Sequence, residues 1–196
     1  MFLERSINQA ENIGWIEVIC GSMFSGKTEE LIRRVKRAKL AKQKIKIFKP
    51  KQDVRYSKKK VKSHDNNSIK SKPVNSPKKI LELSEKFDII GIDEAQFFDN
   101  SIVEVCNKLA NAGKRVIVAG LDMDYKGNPF GPMPNLLAIA EYVTKVHAIC
   151  TRSGKMASYT HRIVKNEDLV LLGDTRKYEA LSRIEFLKAK KKKKHD

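Results

Sequence analysis

An α/β fold, a parallel sheet flanked by helices, is what this 196-residue sequence predicts. Apolar runs of strand length, WIEVIC, FDIIGID and RVIVAG, alternate with stretches of helical periodicity. The first run leads directly into Gly21, Gly26, Lys27 and Thr28, spaced G-x-x-x-x-G-K-[ST] as in a phosphate-binding loop.

Residues 1–14 lack apolar periodicity and read as a flexible lead-in. Trp15–Cys20 is the first strand. In the loop after it, the glycines let successive backbone N–H groups point inward at phosphate oxygens. Lys27 can place its charge on the β- and γ-phosphates of a nucleotide, and the Thr28 hydroxyl can ligate their magnesium. A helix to about Gln43, with Leu31, Ile32, Val35 and Ala38 on one face, aims its positive end at the same phosphates.

Lys44–Pro50 alternates polar and apolar residues as a half-buried strand. Lys51–Asn67 is charged and polar, a long loop or loose hairpin. Within it Asp53, Arg55 and Tyr56 stand out, since an arginine on a loop can reach phosphates; a merely solvated loop is the plain alternative. A short strand over Ile69–Val74 and a short helix over Pro77–Leu83 follow.

Phe87–Asp93 is a near-continuous apolar run ending in Asp93 and Glu94, the pattern of a central parallel strand with its working residues at the C-terminal end. The first acid suits magnesium. The second can orient a water in an ATPase or accept a proton from a hydroxyl in a kinase, and periodicity does not separate the two. Ser101 and Glu104 have the spacing of a capping box for a helix stopping at Asn111–Gly113. Arg115–Gly120 is another buried strand. The Pro- and Gly-rich LDMDYKGNPFGPMPNLL excludes plain helix or strand; a helix over Asn135–Ala140 and a strand over Tyr142–Ile149 then close a main domain of residues 15–149. Residues 150–186 form a second, irregular region, and 187–196 a disordered lysine-rich tail.

The net charge is +17, much of it lysine at Lys58–Lys62 and Lys188–Lys194. It raises the alternative of a nucleic-acid-associated P-loop ATPase, but lysine runs without interleaved aromatics read more simply as solvated segments. Cys20, Cys106 and Cys150 are too few for a disulfide framework. With no signal peptide and no apolar run of membrane-spanning length, the expectation is a soluble cytoplasmic protein.

Together GSMFSGKTEEL, DVRY, SHDN, DEAQFF, the Pro/Gly-rich segment and ASYTHR…GDTRKYEA resemble the type II (cellular-type) thymidine kinases, collinearly from residue 15 to 186. The resemblance implies a RecA-like P-loop domain with a C-terminal lasso subdomain. It implies transfer of the γ-phosphate of ATP, carried with Mg2+, to the 5′-hydroxyl of thymidine. Gly21, Ser22, Met23, Phe24, Ser25, Gly26, Lys27 and Thr28 would then hold the donor with Arg55, Asp93, Glu94, Ala95 and Gln96. Glu94 would be the general base, and Thr28 and Asp93 the magnesium side. Met23, Phe130, Leu169, Val170, Leu171, Leu172, Gly173 and Tyr178 would face the nucleoside. A homotetramer inhibited by thymidine triphosphate (dTTP) is implied in the same way.

The family's structural zinc is held by two C-x-x-C pairs. Here those positions read Cys150, Ser153, Ser182 and Glu185, a poor donor set, so no structural zinc is expected. A lasso without its metal would rely on packing or on bound nucleoside.

Overall fold

The computed structural model describes residues 13–52, 60–62, 68–165, 168, 171 and 176–192. In chain order, β1 (Trp15–Cys20) leads through the loop to α1 (Lys27–Leu40) and β2 (Ile45–Pro50). A hairpin of β3 (Lys60–Lys62) and β4 (Ser68–Lys70) precedes β5 (Lys72–Val74), α2 (Pro77–Leu83) and β6 (Ile89–Ile92). A 3₁₀ turn (Ala95–Phe97), α3 (Ser101–Asn111), β7 (Arg115–Gly120), α4 (Met133–Ile139) and β8 (Tyr142–Lys145) follow. The C-terminal unit holds β9 (Ala148–Ile149), β10 (Met156–Ala157), β11 (Tyr159–Arg162), β12 (Tyr178–Leu181) and α5 (Arg183–Lys192).

Six strands form one parallel sheet in the order β5-β2-β6-β7-β1-β8. Alternate side chains divide between its faces. Val18, Ile90, Ile92, Val116 and Val118 pack with Ile80, Ile102, Val105, Leu109 and Leu136 from α2, α3 and α4. Ile19, Ile47, Ile89, Ile117 and Ala119 pack on the other face against Leu31, Ile32, Val35 and Ala38 of α1. The predicted α/β class is therefore the observed one. The order also puts β7 between the loop-bearing β1 and the acid-bearing β6, so these two strands lie about 10 Å apart with their C-terminal ends at one edge.

Several boundaries differ from expectation, each for a local reason. Ser101 is the first residue of α3 rather than its cap: Asn100 holds the cap position without a side-chain cap bond, and Asp99 Oδ1 accepts from the Ser101 N–H at 2.8 Å and from the Ser101 hydroxyl. Glu104 pairs instead with Lys108 one turn on, at 2.7 Å. The single strand expected over Ile69–Val74 is two, because β4 turns back on β3 while β5 joins β2. Helix α4 starts two residues early, since Pro134 is tolerated in a first helical turn. The strand expected over Tyr142–Ile149 divides after Lys145. Val146 N–H still donates to Cys20 O at 2.9 Å, but there β1 gives way to the loop, and Ala148–Ile149 pairs with β10.

Residues 187–192, expected to be part of a disordered tail, extend α5. Phe186 and Ala189 are buried on its inner side, and Phe186 stacks on Tyr159 at 4.6 Å. The expectations for residues 1–12 and 193–196 lie outside the described residues. No helix among the described residues is long and apolar enough to cross a membrane.

Candidate active site

The loop from Gly21 to Thr28 leaves the C-terminal end of β1 by way of a residue that must be glycine. Gly21 has φ +146°, and a Cβ there would fall 2.2 Å from Val146 O. Gly26, left-handed at φ 85°, starts α1, so Lys27 and Thr28 occupy its first turn. Inside the loop Ser25 Oγ and Lys27 Nζ both donate to Ser22 O, at 2.7 and 2.6 Å. Met23 N–H donates to Thr160 Oγ1 of β11 at 3.0 Å, tying the loop to the C-terminal unit. Phe24 is held left-handed at φ 64°, a conformation costly for a non-glycine residue.

Asp93 and Glu94 follow β6 at the same edge. Asp93 is buried, its N–H donating to Phe48 O at 3.0 Å. Glu94 is also left-handed, φ 54° and ψ 42°. Gln96 joins it to the neighbouring strand: Nε2 donates to Glu94 Oε2 at 2.7 Å, while Oε1 accepts from Leu121 N–H, just past β7, at 3.0 Å. Ala95, the first residue of the 3₁₀ turn, is buried.

Between the loop and the acids lies an apolar cluster. Met23, Leu121, Phe130 and Tyr178 are buried together, with Phe24, Phe97, Tyr125 and Leu171 packed around them. Phe97 meets Phe130 edge-on at 5.8 Å. The Arg162 guanidinium lies 3.7 Å over the Tyr125 ring and donates to the Tyr178 hydroxyl from Nε (3.1 Å) and Nη2 (2.8 Å), and to Asp168 O from Nη1 (2.5 Å). The Tyr178 hydroxyl in turn donates to Leu171 O at 2.6 Å. The structure thus brings Met23, Phe130, Leu171 and Tyr178 together. Arg55, Leu169, Val170, Leu172 and Gly173 lie outside the described residues.

Sequence reasoning did not single out Leu121, Tyr125, Thr160 or Arg162. Leu121 and Tyr125 lie in the Pro/Gly-rich segment and Thr160 and Arg162 in ASYTHR, so the quoted motifs contained the signal without resolving these positions.

The electrostatics at this edge are mixed. Lys145 Nζ lies 2.8 Å from Asp122 Oδ2, linking β8 to the residue two beyond β7 across the end of β1. Burial first, and then the Asp122 charge, push the nearby Cys20 thiol up to about 11, so it stays neutral. Ser22 Oγ and Asp122 Oδ1 are buried without a hydrogen-bond partner among the described residues. Thr28 and Asp93, on the first turn of α1 and just after β6, carry hard oxygen donors of the kind that suit magnesium. For zinc the chemistry fails: Cys150, Ser153, Ser182 and Glu185 supply one sulfur and three oxygens. Among the described residues no cluster of three or more His, Cys, Asp or Glu side chains is arranged to hold a metal.

The sequence model of the thymidine kinase family matches residues 14–186. The chain is 59% identical to a thymidine kinase of Bacteroides thetaiotaomicron over 190 residues, which cover 97% of this chain and 96% of the relative. It is 61% identical to one of Bacteroides fragilis over 183 residues, covering 93% and 92%. A thymidine kinase of a Rhodothermus species is 57% identical over 168 residues, covering 86% and 79%.

Proposed function

The chain belongs to the thymidine kinase family, and on that premise we propose that it transfers the γ-phosphoryl group of ATP to the 5′-hydroxyl of thymidine. The observation that carries this reading is the Gln96 bridge. It holds Glu94 beside the end of β7, at the sheet edge that also bears the phosphate loop and the Met23–Phe130–Tyr178 cluster. An apolar, aromatic-rich cluster that includes Met23 of the loop and Phe97 of the turn after Glu94 suits a nucleoside better than a polymer backbone.

In this reading the thymine ring packs among Met23, Phe130 and Tyr178, and the 5′-hydroxyl lies against Glu94. The hydroxyl oxygen forms a bond to the γ-phosphorus as Glu94 takes its proton. The bond to the β,γ-bridging oxygen breaks, and ADP departs with that electron pair. The N–H groups from Gly21 to Thr28 cradle the donor phosphates, while Lys27 exchanges its bond to Ser22 O for the transferring group. Thr28 and Asp93 would hold magnesium, which neutralises charge on the β- and γ-phosphates when bound. Arg55 would approach the phosphates from its loop, Ala95 and Gln96 would border the donor, and Leu169 to Gly173 would cover the nucleoside.

A homotetramer, inhibition by dTTP and a cytoplasmic location are further parts of this proposal, taken from the family resemblance. The test is transfer of labelled γ-phosphate from ATP by the purified protein. Thymidine-dependent formation of labelled thymidine monophosphate is the expected result. ATP hydrolysis stimulated by nucleic acid, without nucleoside, would favour the ATPase reading instead.

A further inference from the structure

The C-terminal unit is held at its base by a carboxylate on which three segments converge. Glu179, on β12, accepts from Thr151 Oγ1 at 2.9 Å and from Arg152 Nε and Nη2 at 3.2 and 2.5 Å, both in the turn that begins at Cys150. Its Oε1 lies 3.0 Å from His161 Nδ1 on β11. The Thr151 N–H donates to Ala180 O at 3.1 Å, so backbone follows the same path. Within the turn, Cys150 N–H donates to Lys155 O at 2.7 Å and Gly154 N–H to Cys150 O at 2.9 Å. These contacts join the 150–153 turn to the strand leading into Ser182. A four-ligand metal at positions 150, 153, 182 and 185 would make the same link, and the donor set there does not suit one.

Isolated surface ion pairs contribute little, but this carboxylate is mostly enclosed, with 14% of its side chain exposed, and several donors meet on it. Its neighbour faces the opposite way. Tyr178, one residue earlier on β12, is buried against Met23 and Phe130 and bonds Leu171 O. What fixes Glu179 on one face of the strand therefore fixes Tyr178 on the other.

We propose that Glu179 is a positioning residue for the nucleoside side of the site, and that its polar hub does the bracing a metal ion would otherwise do. The inference rests on the thymidine kinase reading above. Its test is steady-state kinetics on wild type, Glu179→Ala and Glu179→Gln, each freed of bound metal by chelator and assayed with magnesium restored. Wild type keeps its activity. Glu179→Ala raises the thymidine KM about tenfold, the scale of one lost charge-assisted hydrogen bond, and leaves the ATP KM within about twofold. Glu179→Gln, which keeps shape and an acceptor but no charge, falls between them and gives the reading if the alanine variant is insoluble.

A rescue separates positioning from general damage. Adding Ser153→Cys, Ser182→Cys and Glu185→Cys to Glu179→Ala supplies four thiolates, and zinc then lowers the thymidine KM back toward wild type. An unchanged thymidine KM in both Glu179 variants, equal rises in both substrates' KM, or wild-type activity lost with chelated zinc would each overturn the inference. Absence of thymidine phosphorylation by wild type would instead overturn the function it rests on.

Discussion

Arg34 Nη1 lies 2.7 Å from Glu17 Oε2, with both side chains almost wholly enclosed. Arg34 belongs to the helix that begins with Lys27, and Glu17 to the strand that feeds the phosphate loop. Arg34 also donates to Glu30 Oε1 and Thr144 Oγ1, while Glu17 also accepts from Arg115 and from the Trp15 indole. One buried network therefore ties α1 to β1, β7 and β8. Glu17→Gln leaves two arginines facing an uncharged partner. The expected loss is about 3–5 kcal/mol, the range for breaking a buried pair from one side, read from the urea midpoint. A loss below about 1 kcal/mol would mean that solvent reaches the network.

The same carboxylate gives an acid limb to the stability profile. Burial alone would raise the pKa of Glu17, but hydrogen bonds from Arg115, Trp15 and Arg34 outweigh it and hold the group below its ordinary 4.5. Glu30 is lowered too, chiefly by its hydrogen bond from Arg33. A carboxylate with a depressed folded pKa contributes its stability fully above the unfolded value and loses it as pH falls through the folded one. The urea midpoint should therefore decline as pH falls below about 4.5, with a shallower decline in Glu17→Gln. Parallel profiles in the two proteins would remove Glu17 as a source.

Glu94→Gln isolates basicity from geometry. The amide oxygen of a glutamine can still accept from Gln96 Nε2, which now lies 2.7 Å from Glu94 Oε2, so the turn should keep its shape. A general base contributes about two to four orders of magnitude, and kcat should fall by that much with the thymidine KM little changed. Equal rates in variant and wild type would take Glu94 out of the chemistry.

Buried strands and the glycine-bearing turn from β1 into α1 were legible because their signals are local. The apolar runs ending at Cys20, Asp93 and Gly120 each mark a strand of the parallel sheet, and glycine spacing marks the loop. The Glu17 network was not legible, since a lone acid inside WIEVIC says nothing about arginines 17 and 98 residues away. Glu179 is a similar case, its partners lying on a turn and a strand that only the fold brings near. Ser101 shows a finer limit: its residue type makes a good cap, but which residue precedes the first turn depends on where the backbone enters the helix, and here that residue is Asn100. Helix α5 was hidden by composition, because its lysines outweigh the two residues, Phe186 and Ala189, that pin it.

Gly131→Ala probes whether the Gln96 bridge matters for turnover or merely for folding. Gly131 is left-handed at φ 51°, and an added Cβ would fall 2.4 Å from Gln96 O, a backbone atom with no rotamer to escape into. The chain must move at Gln96, whose side chain holds Glu94 on one side and the Leu121 N–H on the other. Displacing a reacting group by about 1 Å can cost up to a hundredfold in rate, so kcat should fall about ten- to a hundredfold. Strain at the new residue should lower stability by about 1–3 kcal/mol at the same time. Gln96→Ala removes the bridge without the strain, and should reproduce the fall in kcat with a smaller stability loss. If Gly131→Ala is destabilised but turns over as fast as wild type, the bridge positions nothing that the reaction needs.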